Sequence, residues 1–298
     1  MKKRINKKLF KDLRDVIYRL RYITWKDPTN KEYKIKLTLT YLKWYFFYKY
    51  FGQKHLITFQ NNYKSWVYPY PDHDAGEANI FTRNVDYADN QFIRKVLKPG
   101  DFIVDAGCNV GNRTWVLADI IGGALLIDPN PVAILRAKEN LLLNRLNPNE
   151  YYFVEKGVGE KSGEKYFTDL GGASTQNTIV EDNPEGVRTR CISITTIDEE
   201  LTRIGKMPAF IKIDVEGYDY QALLGAKNTL QNNCVKLVKF ENNNKTTLAN
   251  IRIFFSELGW QVFALDSTTL APVFDEQFIL SSGNLFASPE KAFSEAHS

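Results

Sequence analysis

Residues 102–111, Phe-Ile-Val-Asp-Ala-Gly-Cys-Asn-Val-Gly, constrain the fold more than any other stretch of this chain. An apolar run reaches Asp105, a turn containing Gly107 follows, and Thr114–Ile120 then has helical period. A strand that is apolar throughout must be covered on both faces, which calls for a layered α/β arrangement. With Phe102–Val104, the apolar runs are Ala124–Ile127, Tyr151–Val154, Phe210–Ile213, Val235–Phe240 and Trp260–Leu265. Helical patterns at Val132–Leu143, Gln221–Leu230 and Leu248–Leu258 lie between them. The alternation predicts a parallel sheet with helices on both faces. Phe278–Ser281 and Asn284–Ala287 are expected to close it as an antiparallel hairpin.

The charge distribution divides the chain before any motif is read. Residues 1–54 carry 16 Lys and Arg against 4 Asp and Glu, and the remaining 244 carry 23 against 31. An acidic body with a basic arm does not favour a nucleic-acid partner for the chain as a whole. The arm has a basic amphipathic pattern over residues 3–25 and an aromatic-rich helical pattern over 34–51. Contact with an anionic membrane through residues 1–54 is the expectation it raises, beside simple packing as a helical cap. Ile35–Phe51, interrupted by three lysines, is too short and too charged to span a bilayer, and no secretory pattern precedes it. Three scattered cysteines and three histidines without paired spacing argue against disulfides and zinc, so a cytoplasmic location is expected and no metal is assigned. Domain boundaries are expected at 1–86 for the helical extension, 87–287 for the α/β domain and 288–298 for a tail.

Three motifs carry the chemistry. The turn reads DxGxNxG, not the GxGxxG of a diphosphate site, and Asp105 suits a ligand with a positive group. Asp128 ends the next strand 23 residues later, where an acid can hold both hydroxyls of a ribose. Together they imply a nucleoside ligand without a diphosphate. The third motif, Ile211-Lys-Ile-Asp-Val-Glu-Gly217, puts Asp214 and Glu216 at the carboxyl edge of a buried strand. Two residues apart on extended backbone, both acids would point to one side; the alternative is a helix start favoured by its dipole. Lys212, within the apolar strand, either pairs with one of these acids or reaches solvent.

Several blocks together resemble the FkbM-type S-adenosylmethionine-dependent methyltransferases. They are LKPGDFIVDAGCNVGNRT (97–114), LLIDPNPVAILRAKENLLLN (125–144), VEKGVGEKSGEKYF (154–167), SITTIDE (193–199) and FIKIDVEGYDYQALLGAKNTL (210–230). The resemblance implies an α/β, Rossmann-like class I methyltransferase fold. Its sheet would be seven-stranded and mostly parallel, with a reversed last strand, helices on both faces and an N-terminal helical extension. It implies S-adenosyl-L-methionine as cofactor, with Asp105, Gly107, Asn109 and Gly111 around the methionine part and Asp128 at the ribose. Lys156 and Gly157 would lie near the adenine, and Asp214 would face the methyl group with Glu216 beside it. The chain departs from the family pattern at Cys108, Lys156 and Asp128, where Ala, Asn and Glu are common.

The acceptor implied by the resemblance is a hydroxyl on a sugar, glycan or natural product. Asp214 is the first candidate for the catalytic base, with His73 of Pro71-Asp-His-Asp74 as the alternative. An aromatic segment with Tyr63, Trp66, Tyr68 and Tyr70 could stack on a sugar ring or simply pack. Two other readings compete. A nucleotide-sugar or NAD enzyme on the same sheet would need the missing diphosphate motif. A non-catalytic docking protein would have no use for the intact acids.

Overall fold

The computed structural model describes residues 16–18, 20–21, 34–45, 51–68, 80, 86–174, 176–180, 186–242 and 245–290. Most of the basic pattern over 3–25, and the cluster Asp72, His73, Asp74 and Glu77, lie outside the described residues.

In chain order, α1 (Lys34–Lys43) leads to a hairpin of β1 (His55–Thr58) and β2 (Lys64–Val67), then α2 (Tyr87–Val96). The α/β body follows as β3 (Asp101–Ala106), α3 (Asn112–Leu117), β4 (Ile121–Ile127), α4 (Pro131–Leu143) and β5 (Tyr151–Val154). Four strands, β6 (Gly157–Val158), β7 (Gly163–Thr168), β8 (Ile179–Val180) and β9 (Thr189–Thr195), form a separate small sheet. The chain then returns through α5 (Ile197–Ile204), β10 (Phe210–Ile213), α6 (Asp219–Leu224), α7 (Lys227–Leu230), β11 (Leu237–Glu241) and α8 (Lys245–Glu257). It closes with β12 (Trp260–Leu265), β13 (Pro272–Val273), α9 (Glu276–Ser281) and β14 (Asn284–Pro289).

The main sheet has the order β13-β12-β14-β11-β10-β3-β4-β5. Strands β11, β10, β3, β4 and β5 are parallel, and β14 runs antiparallel between β11 and β12. Apart from the two-residue edge strand β13, this is the seven-stranded class I methyltransferase sheet with one reversed strand. Period-two alternation sorts its apolar runs to two faces. Ile103, Ala124, Leu126, Phe210 and Phe286 pack with Ile93, Trp115 and Leu141 of α2, α3 and α4. Val104, Leu125, Ile211, Val238 and Phe240 pack with Ile197, Leu223 and Phe255 of α5, α6 and α8.

Four local expectations are corrected. Phe278–Ser281 is helical, because the Asp275 side chain accepts a hydrogen bond from Phe278 N at 2.9 Å and starts α9. Asn284–Pro289 therefore finds its antiparallel partners in β11 and β12, and it runs past residue 287. The helix expected over 221–230 is two, interrupted at Gly225, where a side chain would meet the Gly159 carbonyl oxygen at 2.0 Å. The aromatic segment after Gln60 contains β2, paired in register with β1. The small sheet was not anticipated, since its strands are short and only partly apolar.

Gly107 shows why the first turn has its sequence. Its φ of 71° favours glycine, and a Cβ there would lie 1.9 Å from the Asp214 carbonyl oxygen. The turn after β3 is thus pressed directly onto the end of β10. We expect Gly107→Ala to force these strand ends apart, lowering the melting temperature and abolishing S-adenosylhomocysteine binding in calorimetry; native affinity would show that the contact is dispensable.

Candidate functional site

A cleft of about 210 Å³ opens at the carboxyl ends of β4, β3 and β10. Parallel sheets place ligands there, because helix N-termini and loop side chains converge at that edge. Of the residues expected from sequence, Gly107, Asn109, Asp128, Gly157, Asp214 and Glu216 line it. Asp105, Gly111 and Lys156 do not, and His73 lies outside the described residues.

The three residues off the wall have other work. Asp105 is fully buried beneath the turn, where it accepts a hydrogen bond from Thr114 Oγ1 at 2.9 Å and ion-pairs with Lys212. Gly111 caps α3 with φ 79°, and a side chain there would strike the Trp115 ring at 2.8 Å. The ammonium of Lys156 turns to Glu200, 3.1 Å away on α5, and does not line the cleft. Val158, Phe167 and Ile179 from the small sheet, together with Pro129, give the cleft its apolar lining.

Asp128 binds the first turn to the second strand. One carboxylate oxygen accepts from Asn109 N at 2.9 Å and the other from Asn130 N at 2.8 Å. Burial pushes its carboxyl up to about 6, although both backbone donors pull the other way. Asn109 (φ 50°) and Asn130 also reach outward, donating to the carbonyls of Ala173 at 2.8 Å and Gly172 at 2.7 Å. The segment after β7 is thereby strapped to these two turns, with Ser174 on the wall of the cleft. Burial pushes the Cys108 thiol well up, with Asp128 and Asp105 adding, which does not suit a nucleophile.

The centre of the site is Lys212. Its ammonium donates to the Gly107 carbonyl oxygen at 2.7 Å and lies 3.3 Å from both Asp105 Oδ1 and Asp214 Oδ2. Burial opposes its charge, but Asp214 and Asp105 more than offset this and raise its pKa. Lys239 is its register neighbour on β11 and is also buried. Lys239 pairs with Asp89 at 2.9 Å and Asp86 at 3.2 Å, and Arg113 holds Asp86 at 2.6 Å. Burial would raise Asp86, yet Lys239 and Arg113 drive it below its ordinary value. Sequence reasoning missed Asp86, Asn90 and Arg113, which line the cleft. The one available signal was Lys239, a second lysine inside an apolar strand.

Asp214, Glu216, Asp219 and Glu241 gather where β10 and β11 end. Partial desolvation at the wall pushes Glu216 up to about 7, with Asp214, Glu241 and Asp219 adding to it. Burial, then Asp214 and Glu241, push Asp219 up to about 7, against the backbone hydrogen bond from Glu241. Glu216 has φ 49°, and its carbonyl accepts from Thr178 Oγ1 at 2.5 Å, so its backbone is held by the small sheet. In the aromatic segment, Trp66 carries the Lys54 ammonium over its ring and Tyr68 carries Arg136, and neither lines the cleft; Tyr70 lies outside the described residues.

A family model described as a methyltransferase FkbM domain matches residues 105–262, just over half of the chain. The chain belongs to the FkbM methyltransferase family. Membership of that family implies S-adenosylmethionine as the cofactor. No curated protein matches the sequence. Among solved structures, it is similar to the methyltransferase FkbM from Methylobacillus flagellatus KT at 14% identity and TM-score 0.45. That match covers 70% of this chain and 52% of the other, so this chain spans about half the length of that FkbM protein. An rRNA methylase from Streptococcus thermophilus matches at 10% identity and TM-score 0.41, covering 69% of this chain and 95% of the other. A Streptococcus mutans protein assigned as a methyltransferase, in complex with SAH, matches at 10% identity and TM-score 0.41, covering 67% and 94%.

The FkbM cleft fits the cofactor by its chemistry. S-adenosylmethionine calls for polar oxygens, an apolar face and anionic groups, and the lining holds each kind: Asp128; Val158, Phe167 and Ile179; and Asp214 with Glu216. Two measurements test the electrostatics. Lys212→Met leaves Asp105 buried without its cation and is expected to cost about 3–5 kcal/mol in denaturant unfolding. The double variant with Asp105→Asn is expected to recover much of that loss. Further, Asp128, Glu216 and Asp219 keep protons in the folded chain that the unfolded chain releases from about pH 4 upward. Stability of the cofactor-free protein should therefore fall as pH rises through about 6 and 7. S-adenosylmethionine, positive at sulfur, should flatten that slope more than S-adenosylhomocysteine; equal slopes by calorimetry would refute the assignment.

Proposed function

We propose that this FkbM-family chain transfers the methyl group of S-adenosylmethionine to a hydroxyl of a sugar, glycan or natural product. One observation carries the reading: the cleft continues past Asp214 into a wall of hydrogen-bonding groups, Asp86, Asn90, Asn112 and Arg113. Strand order puts this wall across β3 from Asp128, on the side of β10 and β11. The arms of these side chains suit vicinal hydroxyls better than an apolar acceptor.

Bound S-adenosylmethionine supplies a methyl group made electrophilic by its sulfonium. The protein's part is to hold an acceptor oxygen in line with that group and to take the hydroxyl proton. Asp214, fixed by Lys212, gives a carboxylate of set position beside the first turn. Glu216 is the better proton acceptor, because a carboxyl poised near 7 can take a proton in one step and lose it in the next. With Asp128, Asp214 and Glu216 on its wall, the site favours the cationic cofactor over its neutral product.

The test is methyl transfer from labelled S-adenosylmethionine to a panel of free sugars, glycosides and polyketide alcohols. Expected is a rate that climbs through about pH 7 as Glu216 ionises. Glu216→Gln should remove that limb and lower kcat about 100-fold or more. Asp214→Asn takes away a neighbouring charge, so its residual activity should show the limb at lower pH. Binding of S-adenosylhomocysteine without transfer to any hydroxylated acceptor would overturn the acceptor class and leave the family intact.

A further inference from the structure

The helix α1 divides cleanly by direction around its axis. Leu37 and Tyr41 point inward, and Trp44 and Tyr45 continue the same side just past its end; all four join the core beneath the sheet. The Tyr41 and Trp44 rings are stacked at 6.1 Å. On the opposite side Ile35 is 79% exposed and Leu39 62% exposed. At about 3.6 residues per turn, Ile35, Leu39, Lys43 and Lys36 fall in that order along one arc of about 100°. Lys36 and Lys43 are exposed as well. The helix is therefore anchored by one stripe and offers a second, half apolar and half basic, to its surroundings. Phe51, 71% exposed, adds another apolar side chain shortly after it.

We propose that this face of α1 docks the protein on the surface of an anionic phospholipid bilayer. Two features select that partner. The first is charge: residues 1–54 hold 16 cationic against 4 acidic side chains, while the rest of the chain has an acid excess. A negative surface attracts this arm and repels the body, which orients the molecule. The second is the adjacency of Ile35 and Leu39 to Lys36 and Lys43. A nucleic-acid backbone would reward the lysines and leave the two aliphatic side chains in water. At a bilayer, the aliphatic pair enters the acyl boundary while the lysines remain at the headgroups. No described helix is long and apolar enough to cross a membrane, so the contact is a peripheral one.

The experiment is co-sedimentation of the full chain with vesicles of phosphatidylcholine, alone or mixed equally with phosphatidylglycerol. The wild type is expected to pellet with the mixed vesicles, stay in solution with phosphatidylcholine alone, and be released by high salt. Ile35→Asp with Leu39→Asp should lower the partition coefficient at least about tenfold. Lys36→Gln with Lys43→Gln should lower it by about tenfold or more. Both variants lie on the solvent side of α1, and unchanged affinity for S-adenosylhomocysteine verifies their folding. Three results would overturn the proposal: no pelleting of the wild type, equal pelleting with both vesicle types, or full pelleting of the aspartate variant. Tight binding to duplex RNA that survives Ile35→Asp/Leu39→Asp, with vesicle binding absent, would make the basic face a polyanion site instead.

Discussion

The ammonium of Lys212 sits where three parts of the molecule meet. It touches the carbonyl of the first turn, the acid beneath that turn and the acid that ends β10. An ammonium without partners at that depth would shed its proton, and Asp105 and Asp214 without a cation between them would repel each other. Each of the three groups is tolerable only because of the others. The close approach of Gly107 to the Asp214 backbone belongs to the same junction, since a larger residue would move the carbonyl that Lys212 bonds. What the sheet supplies to the cleft is thus one rigid corner, in which the ends of β3 and β10 are fixed to each other.

Much of this was legible in the sequence, and the reason is the burial of the main sheet. A strand covered on both faces must be apolar along its length, so β3, β4, β5, β10, β11 and β12 stand out as runs. Charged residues at their ends are conspicuous for the same reason, which is how Asp105, Asp128 and Asp214 came to notice. The small sheet was illegible because its strands are half exposed and its longest, β7 and β9, mix charged with apolar residues. Yet that sheet supplies Phe167 and Ile179 to the cleft and fixes the backbone of Glu216 through Thr178. Asp86 and Asn90 were hidden differently. They stand before and in the first turn of a helix, and only their pairing with Lys239 and Arg113, distant in sequence, shows their place.

The strap after β7 has a simple basis. Two asparagine side chains, on the turns after β3 and β4, donate to consecutive backbone carbonyls at Gly172 and Ala173. Ala173 is fully buried against Val110 and Ala133, so apolar contact supports the polar one. The segment after β7 and the turns after β3 and β4 consequently share hydrogen bonds, and a shift in one is felt by the others.

Lys212 and Lys239 stand side by side on neighbouring strands, each with its own carboxylates. Two like charges at that spacing leave little room for independent change. Loss of an acid on either side exposes its lysine to the other lysine as well as to the apolar core. Among relatives of this chain, divergence here should then occur in compensated sets, a lysine and its acid exchanged together. The pair thus ties two neighbouring strands to a matched set of carboxylates.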